Sequence, residues 1–309
     1  MAGSTATLYR DITNRLQVIT LTINNRCNLR CPHCYLQYDG KNADVGEATL
    51  NAVLGSCAQH VAIVGKEPLV DPLAVAATEN LVGHCTARGK SVSLVTNGLG
   101  LHRLSATTLA RLEWIDVSMD GGPASYSVYR RGDFDGVIRN VQLALNQGAR
   151  FINAIHTVSS LNLQNIDDMM AISAMAGWNK IIFSPYAQVR NHGSNSTSPI
   201  PFGRLLDALG RSEHFMKHPS ALMLIGSHAF SDQGIDAEGV ARMIEAAGLS
   251  NKVLRVEHDP LQLGYIRVTY DGYVMTPYQS LHPADYRAFA TPVQDHDSLD
   301  TAFEYLRAA

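Results

Sequence analysis

The chain has 309 residues, 46% of them hydrophobic, which is enough for one large domain or a domain with a small extension. The formal net charge is −3 with no block of like charges, which argues against a nucleic-acid stripe or an acidic tail. No run of about 18 apolar residues occurs, and the N-terminus lacks the basic start and apolar stretch of a secretion signal, so neither a membrane span nor export is expected. Five cysteines, three of them close together, fit a reducing compartment, and a cytoplasmic location is expected.

Residues 17–23, rich in β-branched side chains, predict a first strand. A cysteine-bearing loop follows at once. A helix is predicted over 46–58, then a short strand over 61–64 that ends in Gly-Lys-Glu-Pro. Pro72 opens a helix to about residue 88, and a strand over 91–95 ends in Thr-Asn-Gly. A helix over 105–111 leads to a strand over 114–118 that ends in Met-Asp-Gly. A helix over 135–147 stops at Gly148, a strand covers 151–158, a helix covers 165–176, and a sixth strand covers 180–184. Strands alternating with helices in this way predict a parallel α/β sheet, two units short of a closed eightfold barrel. Polar and glycine-containing groups recur after the strands' C-terminal ends, where parallel α/β folds place their sites.

After residue 190 the pattern changes. Residues 191–202 read as a polar loop or linker, with helices at 202–216 and 236–247. Strands follow at 253–257, 265–269 and 273–275, the last two flanking a Tyr-Asp-Gly hairpin turn, and a final helix fits 298–307. The expected division is a core over 1–190 and a C-terminal α+β extension over 191–309 that covers the mouth of the barrel.

The chemistry is concentrated in residues 24–35, Asn-Asn-Arg-Cys-Asn-Leu-Arg-Cys-Pro-His-Cys-Tyr. Cys27, Cys31 and Cys34 cannot all pair with one another, but their thiolates can converge on a metal centre. Structural zinc needs a closed set of four ligands, and no second cysteine pair completes one here. A [4Fe–4S] cluster normally takes one cysteine per iron, so three cysteines leave one iron open. Three merely buried cysteines would not explain the tight spacing.

The C-x3-C-x2-C spacing with Tyr35 just after it resembles the signature of radical S-adenosylmethionine (radical SAM) enzymes. The resemblance covers about residues 15–190. It implies an open, partial (β/α)6 TIM barrel, one [4Fe–4S] cluster on Cys27, Cys31 and Cys34, and SAM chelated at the open iron. Gly65-Lys66-Glu67-Pro68 resembles the family's Gly-Gly-Glu-Pro strand end, which holds the SAM amino group, with Lys66 in place of a glycine. Asn97, in Thr-Asn-Gly, and Ser118 and Asp120, in Ser-Met-Asp-Gly, close successive strands. In the family the Ser-x-Asp position lies near the SAM ribose. Arg131, in Arg-Arg-Gly-Asp-Phe, matches an arginine that contacts the SAM carboxylate in relatives with a C-terminal SPASM domain, while Arg130 reads as a surface charge. His33 fills a slot near the adenine or simply packs, and His156 faces SAM or substrate or packs in the core. Tyr186, Arg190 and His192, after the sixth strand, and Tyr273 and Tyr278 are candidate substrate contacts.

Residues 268–278 resemble the start of a SPASM or twitch domain, but Tyr278 follows Pro277 where the relatives have a cysteine ligand, and no cysteine follows Cys85. The resemblance therefore implies a degenerate SPASM/twitch-like extension without an auxiliary cluster. Cys57 and Cys85 read as packing residues. The expected activity is reductive cleavage of SAM to a 5′-deoxyadenosyl radical that abstracts hydrogen from a small polar metabolite, such as a sugar, nucleoside or amino-acid derivative. A flavodoxin- or ferredoxin-like one-electron reductant is the implied partner, with no nucleic acid or membrane. Modification of a ribosomally made peptide is the alternative. About 16 residues precede the first strand, too few for the peptide-recognition domain such enzymes usually add. A reading of another class is a non-catalytic iron–sulfur regulatory protein, and a 5′-deoxyadenosine assay separates it from an enzyme.

Overall fold

The strand that feeds the cysteine loop, β1 (Val18–Thr22), has all five side chains buried. Strands covered on both faces run as continuous apolar and β-branched stretches, and β1 follows that rule. The computed structural model describes residues 17–34, 42–186, 200–226, 230, 233–256, 265–275, 286–288, 290–295 and 299–308. Seven further strands continue from β1 in parallel and in chain order. They are β2 (His60–Val64), β3 (Ser91–Thr96), β4 (Trp114–Ser118), β5 (Ile152–Val158), β6 (Lys180–Pro185), β7 (Ala221–Gly226) and β8 (Val253–Val256). The other edge of β1 takes β9 (Tyr265–Val268) in parallel, followed by antiparallel β10 (Tyr273–Met275) and β11 (Thr291–Pro292).

The helices between the strands are α1 (Glu47–Gly55), α2 (Pro72–Ala87), α3 (Ala106–Arg111), α4 (Tyr126–Tyr129), α5 (Phe134–Asn146) and α6 (Ile166–Met170). The C-terminal third adds α7 (Phe202–Arg211), α8 (Glu213–Lys217), α9 (Ala237–Ala246) and α10 (Leu299–Ala308). Local chemistry sets their starts. Asp71 caps α2 by accepting the Ala74 N–H at 2.9 Å, with Pro72 in the first turn where its missing N–H costs nothing. Asp133 caps α5 through the Gly136 N–H at 3.0 Å. None of the helices among the described residues is long and apolar enough to cross a membrane.

Alternation along the strands separates two faces. Ile19, Leu21, Ile63, Leu94, Val117 and Ala154 pack under the helices in the main core. Val18, Trp114, Ile182 and Leu254 cluster on the concave inner face, with Tyr265 against them. That inner face also carries polar groups. The His60 ring lies 2.8 and 2.9 Å from the Ser91 and Ser93 hydroxyls and stacks on Trp114 at 4.9 Å. Trp114 Nε1 and Asn153 Nδ2 donate to Asp116 at 2.9 and 3.0 Å. Burial holds the His60 imidazole down to a pKa of about 3.

The C-terminal third begins at residue 191 in the expected division. Its described strands extend the sheet at both edges, β7 and β8 beyond β6 and β9 to β11 beyond β1. The physical reason is that a six-stranded open sheet leaves two rows of unpaired backbone groups, and these strands satisfy them. The sequence reading omits β7, because Ala-Leu-Met-Leu-Ile-Gly lacks the β-branched density that marks the other strands. The hairpin between β9 and β10 forms at the Tyr-Asp-Gly turn, where Gly272 takes a φ of 80° that a side chain would resist. Asp271 in that turn accepts from the Tyr286 hydroxyl at 2.6 Å and from Arg287 at 2.6 and 2.8 Å, tying the turn to a distant segment without a metal.

Candidate active site

The cysteine loop leaves β1 and is fastened to the end of β2 at its first residue. Asn24 is buried, its Nδ2 donates to the Glu67 carbonyl at 2.9 Å, and its own carbonyl accepts the Lys66 N–H at 3.2 Å. A Cβ on Gly65 would stand 2.9 Å from Asn24 Oδ1, so the close approach of the two segments requires glycine there. Arg26 bridges outward to Asp44 at 2.7 Å and to Asp71, the cap of α2. The loop is thus braced before its first cysteine.

Cys27, Cys31 and Cys34 are half-buried cysteines that form no disulfide among the described residues. Cys27 Sγ accepts the Leu29 N–H at 3.3 Å and has the Asn97 amide 4.0 Å away. Cys31 Sγ lies 3.6 Å from the Arg130 carbonyl. Burial pushes the Cys27 thiol up and the Cys31 thiol to about 11, with the Arg130 charge opposing both shifts.

Around this loop the strand ends form a buried polar rim. The Asp120 carboxylate, 1% exposed, takes His33 Nε2 at 2.7 Å, Arg130 at 2.8 Å and the Thr157 N–H at 2.6 Å. Burial alone would raise its pKa, but His33, Arg130 and that amide outweigh burial and hold it below the usual carboxylate range. The Glu67 carboxylate accepts from Thr96 and the Asn97 N–H, each at 2.6 Å, and from the Leu69 N–H at 3.0 Å. Burial raises its pKa against those bonds.

A family model described as the radical SAM superfamily matches residues 21–172, the stretch from β1 past α6 that carries this rim. Residues 21–172 form a radical SAM domain. A PqqA peptide cyclase from Methylobacterium sp. (strain 4-46) is 30% identical over 166 residues, covering 50% of this chain and 41% of that protein. A mycofactocin maturase MftC from Mycobacterium tuberculosis is 28% identical over 170 residues, covering 52% of this chain and 42% of the relative. The chain therefore spans less than half the length of these curated relatives. Among solved structures, Streptococcus suis SuiB bound to its precursor peptide SuiA superposes with a TM-score of 0.66 at 13% identity, covering 99% of this chain and 69% of that one. That likeness is one of fold.

The cofactors are those of the radical SAM superfamily, a [4Fe–4S] cluster and SAM. The residues fit them. Three thiols on one braced loop could serve as the cluster ligands, and the Leu29 N–H and the Asn97 amide already point at Cys27, the arrangement a thiolate needs.

Several sequence expectations change in the structure. Arg131 is exposed at a φ of 56°, and the left-handed turn there sends Arg130, not Arg131, into the buried rim. The Glu67 carboxylate already takes three protein donors, Thr96 and the Asn97 and Leu69 N–H groups. His156 alternates with Ala154 and Val158, so it lies under the helices against Phe183, with ring centroids 5.1 Å apart, and not on the inner face. Tyr273 packs with Met275 and Tyr286 in a small separate cluster. Asn97 bridges to Asn28 at 2.8 Å. Ser118 shares the inner-face alternation of Trp114 and Asp116. Pro68 is buried and accepts from Thr78 through its carbonyl at 3.0 Å, and Tyr186 is buried just after β6. Tyr35, Arg190, His192 and Tyr278 lie outside the described residues. The sequence reading gave no role to Asn24, and it placed Arg130 at the surface. The only signal for Asn24 was its place just after a strand.

Proposed function

We propose that this chain is a radical SAM enzyme that modifies a peptide. The observation that carries the substrate class is the 30% identity to a PqqA peptide cyclase over the half of the chain that builds the site. The match to mycofactocin maturase MftC over a similar share supports it. This favours the peptide alternative over the small polar metabolite first expected.

When bound, the cluster and SAM supply reductive cleavage of SAM to a 5′-deoxyadenosyl radical that abstracts hydrogen, given one electron from a flavodoxin- or ferredoxin-like donor. The chain's own residues hold and enclose those groups. Cys27, Cys31 and Cys34 are the cluster ligands. The backbone at Gly65 and Lys66 faces the amino end of SAM, and Ser118 and Asn97 line the rim beside it. Asp120, with His33 and Arg130, keeps the cysteine loop at a fixed height over the strand ends. The parallel sheet below excludes water from the reacting centre.

The test is direct. Short peptides encoded beside this chain's gene are incubated anaerobically with reconstituted protein, SAM and dithionite. A peptide mass change that tracks 5′-deoxyadenosine formation and vanishes in Cys27→Ala is expected. Conversion of a small metabolite with every peptide unchanged would return the assignment to the metabolite reading.

A further inference from the structure

Among the described residues, Arg267 has no counter-charge. Strand pairing sets it beside Thr20 of β1 and Met275 of β10. Its neighbours Ile266 and Val268 point into the core under the helices, so Arg267 points with Tyr265 to the concave face of the barrel. The residue is half-buried and its Nε is sequestered from solvent, yet among the described residues no hydrogen bond or ion pair reaches the guanidinium. A partly buried cation whose Nε lacks a partner is costly, and a native chain that keeps one calls for an explanation.

The acidic groups of the inner face and rim are already committed. Asp116 takes Trp114 and Asn153, Glu67 takes Thr96 and two backbone amides, and Asp120 takes His33 and Arg130. Hydroxyls, in contrast, are at hand, because Thr20 Oγ1 and the Tyr265 hydroxyl lie 2.6 Å apart on strands flanking the same face. Arg267 pairs with Thr20, two residues short of the end of β1, which places it about 7 Å below that strand end. A group held there would lie deep in the barrel, with the rest of its molecule rising toward the cysteines.

We infer that Arg267 is the receptor for a carboxylate of the substrate, seated on the inner face of the barrel, with the Thr20 and Tyr265 hydroxyls beside it. The planar guanidinium fork matches a carboxylate in two parallel hydrogen bonds. The inference rests on the peptide-modifying function above and deepens it. The carboxylate belongs either to an acidic side chain of the peptide or to its C-terminus.

The test uses cluster-loaded, SAM-bound protein and three probes followed by calorimetry. N-acetyl-glutamate α-amide carries the side-chain carboxylate, N-acetylglycine carries the C-terminal one, and N-acetyl-glutamine α-amide is the uncharged control. Saturable binding of a carboxylate probe, absent for the control, is expected, and the tighter probe identifies the source. Arg267→Gln should weaken that binding about tenfold to a hundredfold, and Arg267→Lys should keep part of it. Arg267→Gln should also melt at the same or a higher temperature, because it removes an unpaired charge. Absence of saturable binding, equal binding by Arg267→Gln, or a drop of several degrees in its Tm would each overturn the inference. SAM cleavage is followed in the same samples, so a failed carboxylate site is told apart from a failed radical SAM assignment.

Discussion

His33 and Asp120 stand 87 residues apart in sequence and 2.7 Å apart in the fold. One belongs to the cysteine loop and the other to the turn after β4. Their contact sets the height of the loop over the strand ends, and Arg130 completes it from the other side at 2.8 Å. Asp120 also holds a φ of 54°, a left-handed conformation that Asp and Asn tolerate better than other side chains.

Asp120→Asn should therefore keep the backbone turn and remove only the charge. It leaves the buried Arg130 without its carboxylate, and breaking a pair of that kind costs about 3–5 kcal/mol. Urea unfolding of the metal-free protein measures the cost, and iron analysis should show poorer cluster retention. Stability within 1 kcal/mol of the parent, roughly the worth of a surface pair, would mean that the contact does not brace the loop.

Exchange of roles between the two arginines gives a second prediction. Arg130→Met should lose stability and cluster content, because Arg130 is buried against Asp120. Arg131→Met should change stability by no more than about 0.5 kcal/mol, as for other exposed positions. The reverse ranking in paired melts and iron assays would restore the assignment expected from the Arg-Gly-Asp-Phe segment.

The cysteine spacing was legible because it is a local pattern that needs no knowledge of the fold. The alternation of strands and helices over residues 17–184 was legible for the same reason. The surface placement of Arg130 failed because its partner, Asp120, lies in the turn after β4 and the pair forms only in the fold. His156 stayed open between rim and core because motif position alone suggested the rim, whereas strand alternation, counted from Ile152, puts it under the helices. β7 was hidden by helix-favouring Ala, Leu and Met, and its partners, β6 and β8, supply what local propensity lacks. The ion pair of Asp120 with Arg130 and the Asn24 clasp join distant segments and could not be read from either segment alone.

Acid sensitivity follows from two buried histidines. Burial lowers His60 to a pKa of about 3 and His156 to about 4. In the unfolded chain both return to about 6.5. Their folded pKa values are depressed, so the unfolded state binds more protons below pH 6.5. Stability is complete above that value and falls as pH drops toward the folded pKa values. Each should cost up to about 2 kcal/mol between pH 6.5 and 5. Urea midpoints of the metal-free protein measured across that range should show the slope. His156→Leu should flatten it and be neutral or stabilising, because neither ring nitrogen of His156 has a partner. An unchanged slope in that variant would contradict the buried neutral state.

The central claim is that the three-cysteine loop binds one radical-generating cluster. The most direct measurement pairs iron and sulfide analysis with a 5′-deoxyadenosine assay on anaerobically reconstituted protein, SAM and dithionite. The account predicts about four irons and four sulfides per chain, with 5′-deoxyadenosine formed. Both should be lost in Cys27→Ala and kept in Cys57→Ala, whose thiol is exposed and far along the chain from the loop. A fully loaded cluster that yields no 5′-deoxyadenosine, or a cluster that survives loss of Cys27, would contradict it.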